Sequence, residues 1–164
     1  MIYLIRHGET DGGQKGETPL NEHGFNQARQ TAPDVKGLGI TQIYSSDVLR
    51  AVQTTKEINK VVNVPVVFDK RLREFPILAR IKGKFEDLPP KEIEKALHEA
   101  FVRVQDFLAE IKGKKNIAIV THRGIILTMM YIKEYGEFDM EKVTEFRKKM
   151  KTDIKNCEII RFEI

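Results

Sequence analysis

Met1-Ile2-Tyr3-Leu4-Ile5-Arg6-His7-Gly8-Glu9-Thr10 opens the chain with a short apolar run, strand-like in length, that stops abruptly at a polar cluster. The same change recurs twice. Gln42-Ile43-Tyr44 runs into Ser45-Ser46-Asp47, and Ile117-Ala118-Ile119-Val120 runs into Thr121-His122-Arg123-Gly124. Helical patterns separate these strands. Asn21 is placed to cap a helix over 22–32, followed by a turn at 37–39. Asp47 is placed to cap a second helix, with Val48, Val52, Thr55, Ile58 and Val62 at roughly helical spacing.

Residues 64–68 predict a third strand. Pro89-Pro90 starts the clearest helix, whose Ile93, Leu97, Ala100, Phe101, Val104, Phe107, Leu108 and Ile111 form one apolar stripe. A largely apolar helix over 125–135 is closed by Gly136. Asp139 is expected to cap another helix through Met150, and 158–164 to form a terminal strand. Strands alternating with helices predict an α/β three-layer sandwich, a mainly parallel central sheet with helices on both faces. Ligands of such sheets bind beyond the carboxyl ends of the strands, where the polar clusters lie.

Composition narrows the class. The 164 residues favour one domain over 1–164, with a short cap segment at about 75–90. Hydrophobic residues at 41% and charged residues at 32% describe a globular, water-soluble chain. The net charge of +4 permits an anionic partner without choosing a metabolite, a nucleic acid or a membrane surface. One cysteine, Cys157, excludes an intramolecular disulfide and reads as a small buried residue. No secretory leader and no run of membrane-spanning length is visible, so the expected compartment is cytoplasmic.

His7 beside Arg6 either closes a strand with a hydrogen bond or presents an imidazole next to a fixed positive charge. His122 at another strand exit could converge on the same crevice, and Arg50 on the first turn of a helix could reach it. Two histidines and two arginines around one point repel one another unless an anion joins them. A phosphoryl group answers that need, accepting from guanidinium groups and from helix N-termini near Asp47 and Gly124. Neighbouring arginines would oppose a metal cation, so no metal and no cofactor is expected. His23 and His98 read as surface histidines, and Arg147, Lys148, Lys149 and Lys151 as a solvated helix end.

At this point the chain resembles the histidine phosphatase superfamily, the phosphoglycerate-mutase-like clan. Six segments carry the likeness. They are Arg6-His7-Gly8-Glu9-Thr10, the stretch from Pro19-Leu20-Asn21 through Gln27-Ala28, and Ser45-Ser46-Asp47-Val48-Leu49-Arg50-Ala51-Val52-Gln53-Thr54. Leu72-Arg73-Glu74, Val120-Thr121-His122-Arg123-Gly124 and Asn156-Cys157 complete the set.

The resemblance implies roles. His7 would be the nucleophile, forming a phosphohistidine; Glu74 would protonate the leaving oxygen and then activate water. Arg6, Arg50 and His122 would bind the phosphoryl oxygens, with Thr10, Arg73, Arg123 and Gly124 as further substrate contacts. Two positions depart from the family pattern. Gly13 stands where many members carry Asn, which removes a phosphate-facing amide, and Arg123 stands where a small residue is common, either adding a phosphate contact or pointing to solvent.

The mutases of the family resemble one another in a long helical insertion after the acid. Here 48 positions separate Glu74 from His122, and one helix of about 20 residues uses much of that span. A small cap leaves water able to reach a phosphohistidine, which favours phosphomonoester hydrolysis on a small phosphorylated metabolite. Gly83-Lys84-Phe85-Glu86-Asp87-Leu88 loosely resembles the family's cap motif, and Arg71, Arg73, Arg80, Lys82 and Lys84 could form a basic rim or be solvated loop charge. Alternatives are a phosphoglycerate mutase, a phosphoprotein phosphatase acting on phosphohistidine or phosphoserine, and a non-catalytic phosphometabolite sensor. A metal-dependent hydrolase lacks evident carboxylate ligands. The expected partner is an anionic phosphorylated small molecule, with no nucleic acid and no membrane, and the chain is expected to be a monomer or homodimer.

Overall fold

Alternation of side chains decides the architecture. Along β1 (Ile2–Arg6), Ile2 and Leu4 point to one side of the sheet and Tyr3 and Ile5 to the other, and all four are buried. In β4 (Ile117–Thr121), Ile117 and Ile119 join the first side while Ala118 and Val120 join the second. A strand buried on both faces must lie inside a sheet covered on both faces. The computed structural model describes residues 1–12, 17–79, 87–149 and 154–164, and shows that arrangement.

The remaining elements are α1 (Glu22–Gly37), β2 (Gln42–Ser45), α2 (Leu49–Val62), β3 (Val66–Phe68), α3 (Pro90–Glu110), α4 (Arg123–Tyr135), α5 (Met140–Lys149) and β5 (Ile159–Phe162), with 3-10 turns at Lys70–Leu72 and Pro76–Ala79. The sheet order is β3-β2-β4-β1-β5, parallel except for β5, which runs antiparallel to β1 at the edge. On one face α1 and α2 contribute Ala32, Val35, Ala51 and Ile58 to a core with Tyr3, Ile5, Ile43 and Val120. On the other, α3 and α4 contribute Val104, Phe107, Ile125 and Met129 to a core with Leu4, Tyr44 and Ile119. At about 1.5–3 kcal/mol per large apolar side chain removed from water, these two layers supply the main cohesion of the fold. Helix α5 lies outside α4, where Val143 and Phe146 meet Phe101 and Tyr131 in a third, smaller cluster.

Two local expectations need correction. The helix expected over 22–32 runs through Pro33 to Gly37, because the full burial of Val35 offsets the backbone hydrogen bond that Pro33 cannot make. Asp47 does not cap α2. The N-cap position is Val48, without a side-chain cap; the Glu17 carboxylate accepts from Leu49 N at 2.9 Å instead, while Asp47 is drawn away by Arg73. Asp139 does cap α5, accepting from Glu141 N and Lys142 N. Gly136 closes α4 in the left-handed conformation, with φ of 73°.

Candidate active site

Register brings the polar clusters together. Arg6 pairs with Thr121 and Ser45 with Val120, so His7, Ser46 and His122 leave three adjacent strands at one edge of the sheet. His7 N donates to Thr121 O, and Ser46 N to Val120 O. Beyond that edge β1 leads to α1 on one face and β4 to α4 on the other, which opens a crevice between them.

His7 is held from every side. Nδ1 lies 2.7 Å from the Gly8 carbonyl and donates to it, which leaves Nε2 with its lone pair; Arg50 Nε donates to that lone pair at 3.2 Å. Burial, reinforced by the Arg50 charge, lowers the His7 pKa to about 3, so the ring is neutral over ordinary pH. Its backbone carbonyl accepts from Asn156 Nδ2 at 2.7 Å, and Cys157 N donates to Arg6 O at 2.9 Å, so the Asn156-Cys157 turn latches the end of β1. Gly8 N donates to Thr54 Oγ1 on α2. A Cβ on Gly8 would lie 2.6 Å from Gly24 O, and one on Gly24 would lie 2.2 Å from Glu9 O; only two glycines let α1 approach the loop this closely.

His122 is fully buried, with its ring centroid 5.1 Å from that of His7 in an edge-on arrangement. Its Nε2 lies 2.9 Å from Ser46 Oγ, which already accepts from Val48 N. With the Ser46 hydroxyl as donor to Nε2, the His122 proton sits on Nδ1, a buried atom without a hydrogen-bond partner among the described residues. Burial, then the charges around it, hold the pKa of His122 well below its ordinary value. The repulsion expected among two histidines and two arginines is thus relieved by neutral imidazoles.

Arg50 is 1% exposed, and burial draws its guanidinium pKa down against the attraction of Glu74 and Glu17. Glu74 is buried against the start of α4. Its Oε2 accepts from Gly124 N and its Oε1 from Phe75 N, both at 3.1 Å. Burial raises its pKa, opposed by those two N–H groups and by the Arg50 and Arg103 charges. Arg103, on α3, donates to the backbone carbonyls of Arg71 and Glu74 and so pins the segment that carries the acid.

The other predicted residues fall in several places. Arg6 is half-buried and donates to the Ile154 carbonyl. Thr10 lies half-buried in the loop after β1. Gly124 N is engaged by Glu74 and Leu49 N by Glu17, so these helix-start amides serve carboxylates of the chain itself. Arg73 forms a two-pronged ion pair with Asp47 at 2.6 and 2.7 Å. Arg71 is no rim cation: Asp69, Asp106 and Glu110 surround it, tying the Lys70–Leu72 turn to α3. Arg123 is half-buried and lines a pocket beside Glu74. Gly13, Arg80, Lys82, Lys84, Lys151 and most of the loose cap motif lie outside the described residues.

Ser46, Arg103, Thr54 and Glu17 were not singled out as site residues from the sequence. Arg103 had a legible signal, being a cation set among the apolar stripe of α3 between Ala100 and Phe107. The others act through tertiary hydrogen bonds that no local pattern reveals.

The model of the histidine phosphatase superfamily (branch 1) matches residues 2–110. The chain belongs to that superfamily. His122 lies beyond the matched residues, yet the sheet register sets it beside His7. Among curated relatives, a probable phosphoglycerate mutase GpmB of Shigella dysenteriae is 36% identical over 98 residues, 56% of this chain and 46% of that protein. The protein of the same name from Proteus mirabilis is 42% identical over 80 residues, 45% of this chain and 37% of its own length. The matched part of this chain thus spans about half the length of those relatives or less. Its fold is similar to that of mycobacterial glucosyl-3-phosphoglycerate phosphatase, with a TM-score of 0.72 at 19% identity, covering 96% of this chain and 87% of the other. It is also similar to phosphoserine phosphatase of Entamoeba histolytica, with a TM-score of 0.70 at 23% identity and coverages of 96% and 87%. Among the described residues no helix is long and apolar enough to cross a membrane.

Proposed function

We propose that this histidine phosphatase is a metal-independent phosphomonoesterase that works through a phosphohistidine on His7, with a small phosphorylated metabolite as substrate. The observation that carries the reading is the buried, neutral His7 whose Nε2 lone pair faces the Arg50 guanidinium. A nucleophile must be unprotonated and its target's charge must be met by fixed cations; this pair supplies both at one point.

The steps follow from the geometry. The phosphoryl group takes the place where Arg50 now meets His7, with Arg6, Arg50 and the Nδ1–H of His122 donating to its non-bridging oxygens. His7 Nε2 forms a bond to phosphorus as the ester P–O bond breaks on the opposite side. Glu74, whose pKa burial raises, gives its proton to the departing alcohol oxygen. The resulting carboxylate then takes a proton from water, whose oxygen displaces His7 from phosphorus and releases inorganic phosphate. Every proton lent in the first half returns in the second.

Mutase activity is the second reading, favoured by the names of the curated relatives. It would require the dephosphorylated product to stay bound and take the phosphoryl group back at another position. The short span between Glu74 and His122 supports hydrolysis over that transfer. Chelator-treated protein is expected to release stoichiometric phosphate from p-nitrophenyl phosphate, and His7→Ala to abolish the release. Activity that disappears with the chelator, or persists in His7→Ala, would overturn the proposal.

A further inference from the structure

Beside Glu74 the structure holds a pocket of about 140 Å³ between α3, α4 and α5. Phe75, Leu97, Phe101, Leu127, Phe138 and Val143 are among the apolar side chains of its wall, and Glu74 and Gly124 line it as well. None of Arg6, His7, Arg50 or His122 lines it. Glu74 is therefore the one residue shared by the pocket and the proposed chemistry.

The two hydroxyl groups of the wall are already engaged. Thr128 Oγ1 donates to Gly124 O at 2.8 Å. Tyr131 OH contacts the Glu137 and Asp139 carbonyls and accepts from Asp139 N. Arg123 and Arg147 each have an interaction partner within the protein. A sugar or amino-acid side group entering here would lose its water and find few partners, which costs it binding free energy. A hydrocarbon group loses nothing of the kind and gains by leaving water.

The reaction geometry sets what enters. In an in-line displacement the leaving oxygen departs opposite His7, and the acid must touch that oxygen, so the leaving group lies on the Glu74 side of phosphorus. We propose that this pocket is the leaving-group subsite and that the preferred substrates are phosphomonoesters of alcohols or phenols whose carbon skeleton is apolar, up to about the size of a six-membered ring. A cavity of about 150 Å³ lined by aliphatic and aromatic side chains takes benzene, so the volume fits that class. The inference rests on the phosphomonoesterase reading and adds the chemical nature of the group released.

Non-hydrolysable phosphonates separate the two ideas, because their binding needs no turnover. By titration calorimetry, benzylphosphonate is expected to bind wild-type protein at least about tenfold tighter than methylphosphonate or 2-hydroxyethylphosphonate. Leu97→Trp, which fills the pocket from a half-buried position, should bring the benzyl-to-methyl ratio to within about twofold. Equal affinities in the wild-type protein, or a benzyl preference that survives Leu97→Trp, would overturn the subsite; the wild-type comparison decides even if the variant does not fold. Failure of p-nitrophenyl phosphate hydrolysis with the benzyl preference intact would instead overturn the catalytic reading and leave the pocket standing as an apolar subsite.

Discussion

Arg50 Nε and His7 Nε2 lie 3.2 Å apart inside a site where Arg50 is 1% and His7 2% exposed. A cation and a neutral imidazole held this close keep each other in form: the charge opposes protonation of the ring, and the ring's lone pair orients the guanidinium. Both are then ready for a phosphoryl group, with little reorganisation left to the reaction.

Arg50→Gln keeps a polar side chain and removes the charge. The expected loss in kcat is about 10²–10³-fold, the cost of removing one pre-set donor to a developing oxyanion. The His7 pKa should rise from about 3 without reaching its ordinary value, because burial is the larger cause of its lowering. Steady-state kinetics and NMR titration of the ring check both.

Ser46 acts on the site through His122. Ser46→Ala removes the donor that assigns the His122 proton to Nδ1, so the ring should populate the other tautomer, visible in its nitrogen chemical shifts. We expect kcat to fall about tenfold or more with little change in KM, since the phosphoryl contact matters most as charge spreads in the transition state. Ser46→Thr retains the hydroxyl and should recover most of the activity. A purely structural Ser46 would change melting temperature without altering the tautomer.

Glu74 gives a pH dependence with a definite sign. Its raised pKa keeps the carboxyl protonated above the usual carboxylate range, while His7, lowered to about 3, stays unprotonated throughout. For an alkyl phosphate, whose leaving oxygen needs a proton, kcat/KM should decline as pH rises through the Glu74 pKa. p-Nitrophenyl phosphate releases a stable anion that needs no proton, so its profile should lack that decline. Glu74→Gln should cost the alkyl ester about 10²–10⁴-fold and the aryl ester far less. Equal losses on the two esters would remove Glu74 as the acid.

Much of the fold was legible because each strand and helix is locally consistent. Residues 2–5 and 117–120 are apolar throughout, as strands covered on both faces must be, and the stripe on α3 has the helical period. The terminal strand is shorter than expected, Ile159–Phe162, and its antiparallel pairing with β1 is a property of the sheet that its own sequence does not encode. At the site, histidines after strands and arginines at helix starts could be read directly. What could not be read is who neutralises whom. The ring of acids around Arg71, the Asp47–Arg73 pair and the Glu17 carboxylate at α2 each join residues from separate segments, and they replaced an expected helix cap and engaged two arginines that the sequence left open between a basic rim and solvated loop charge.

The most direct test is to mix the protein with a phosphomonoester, quench within the first turnover under denaturing alkaline conditions, and locate the bound phosphate by mass spectrometry. Phosphate on His7 alone, labile to acid, formed at a rate no slower than turnover and absent from His7→Ala, is the predicted result. Turnover with no phosphorylated protein at any time, or phosphate carried by a residue other than His7, would contradict it.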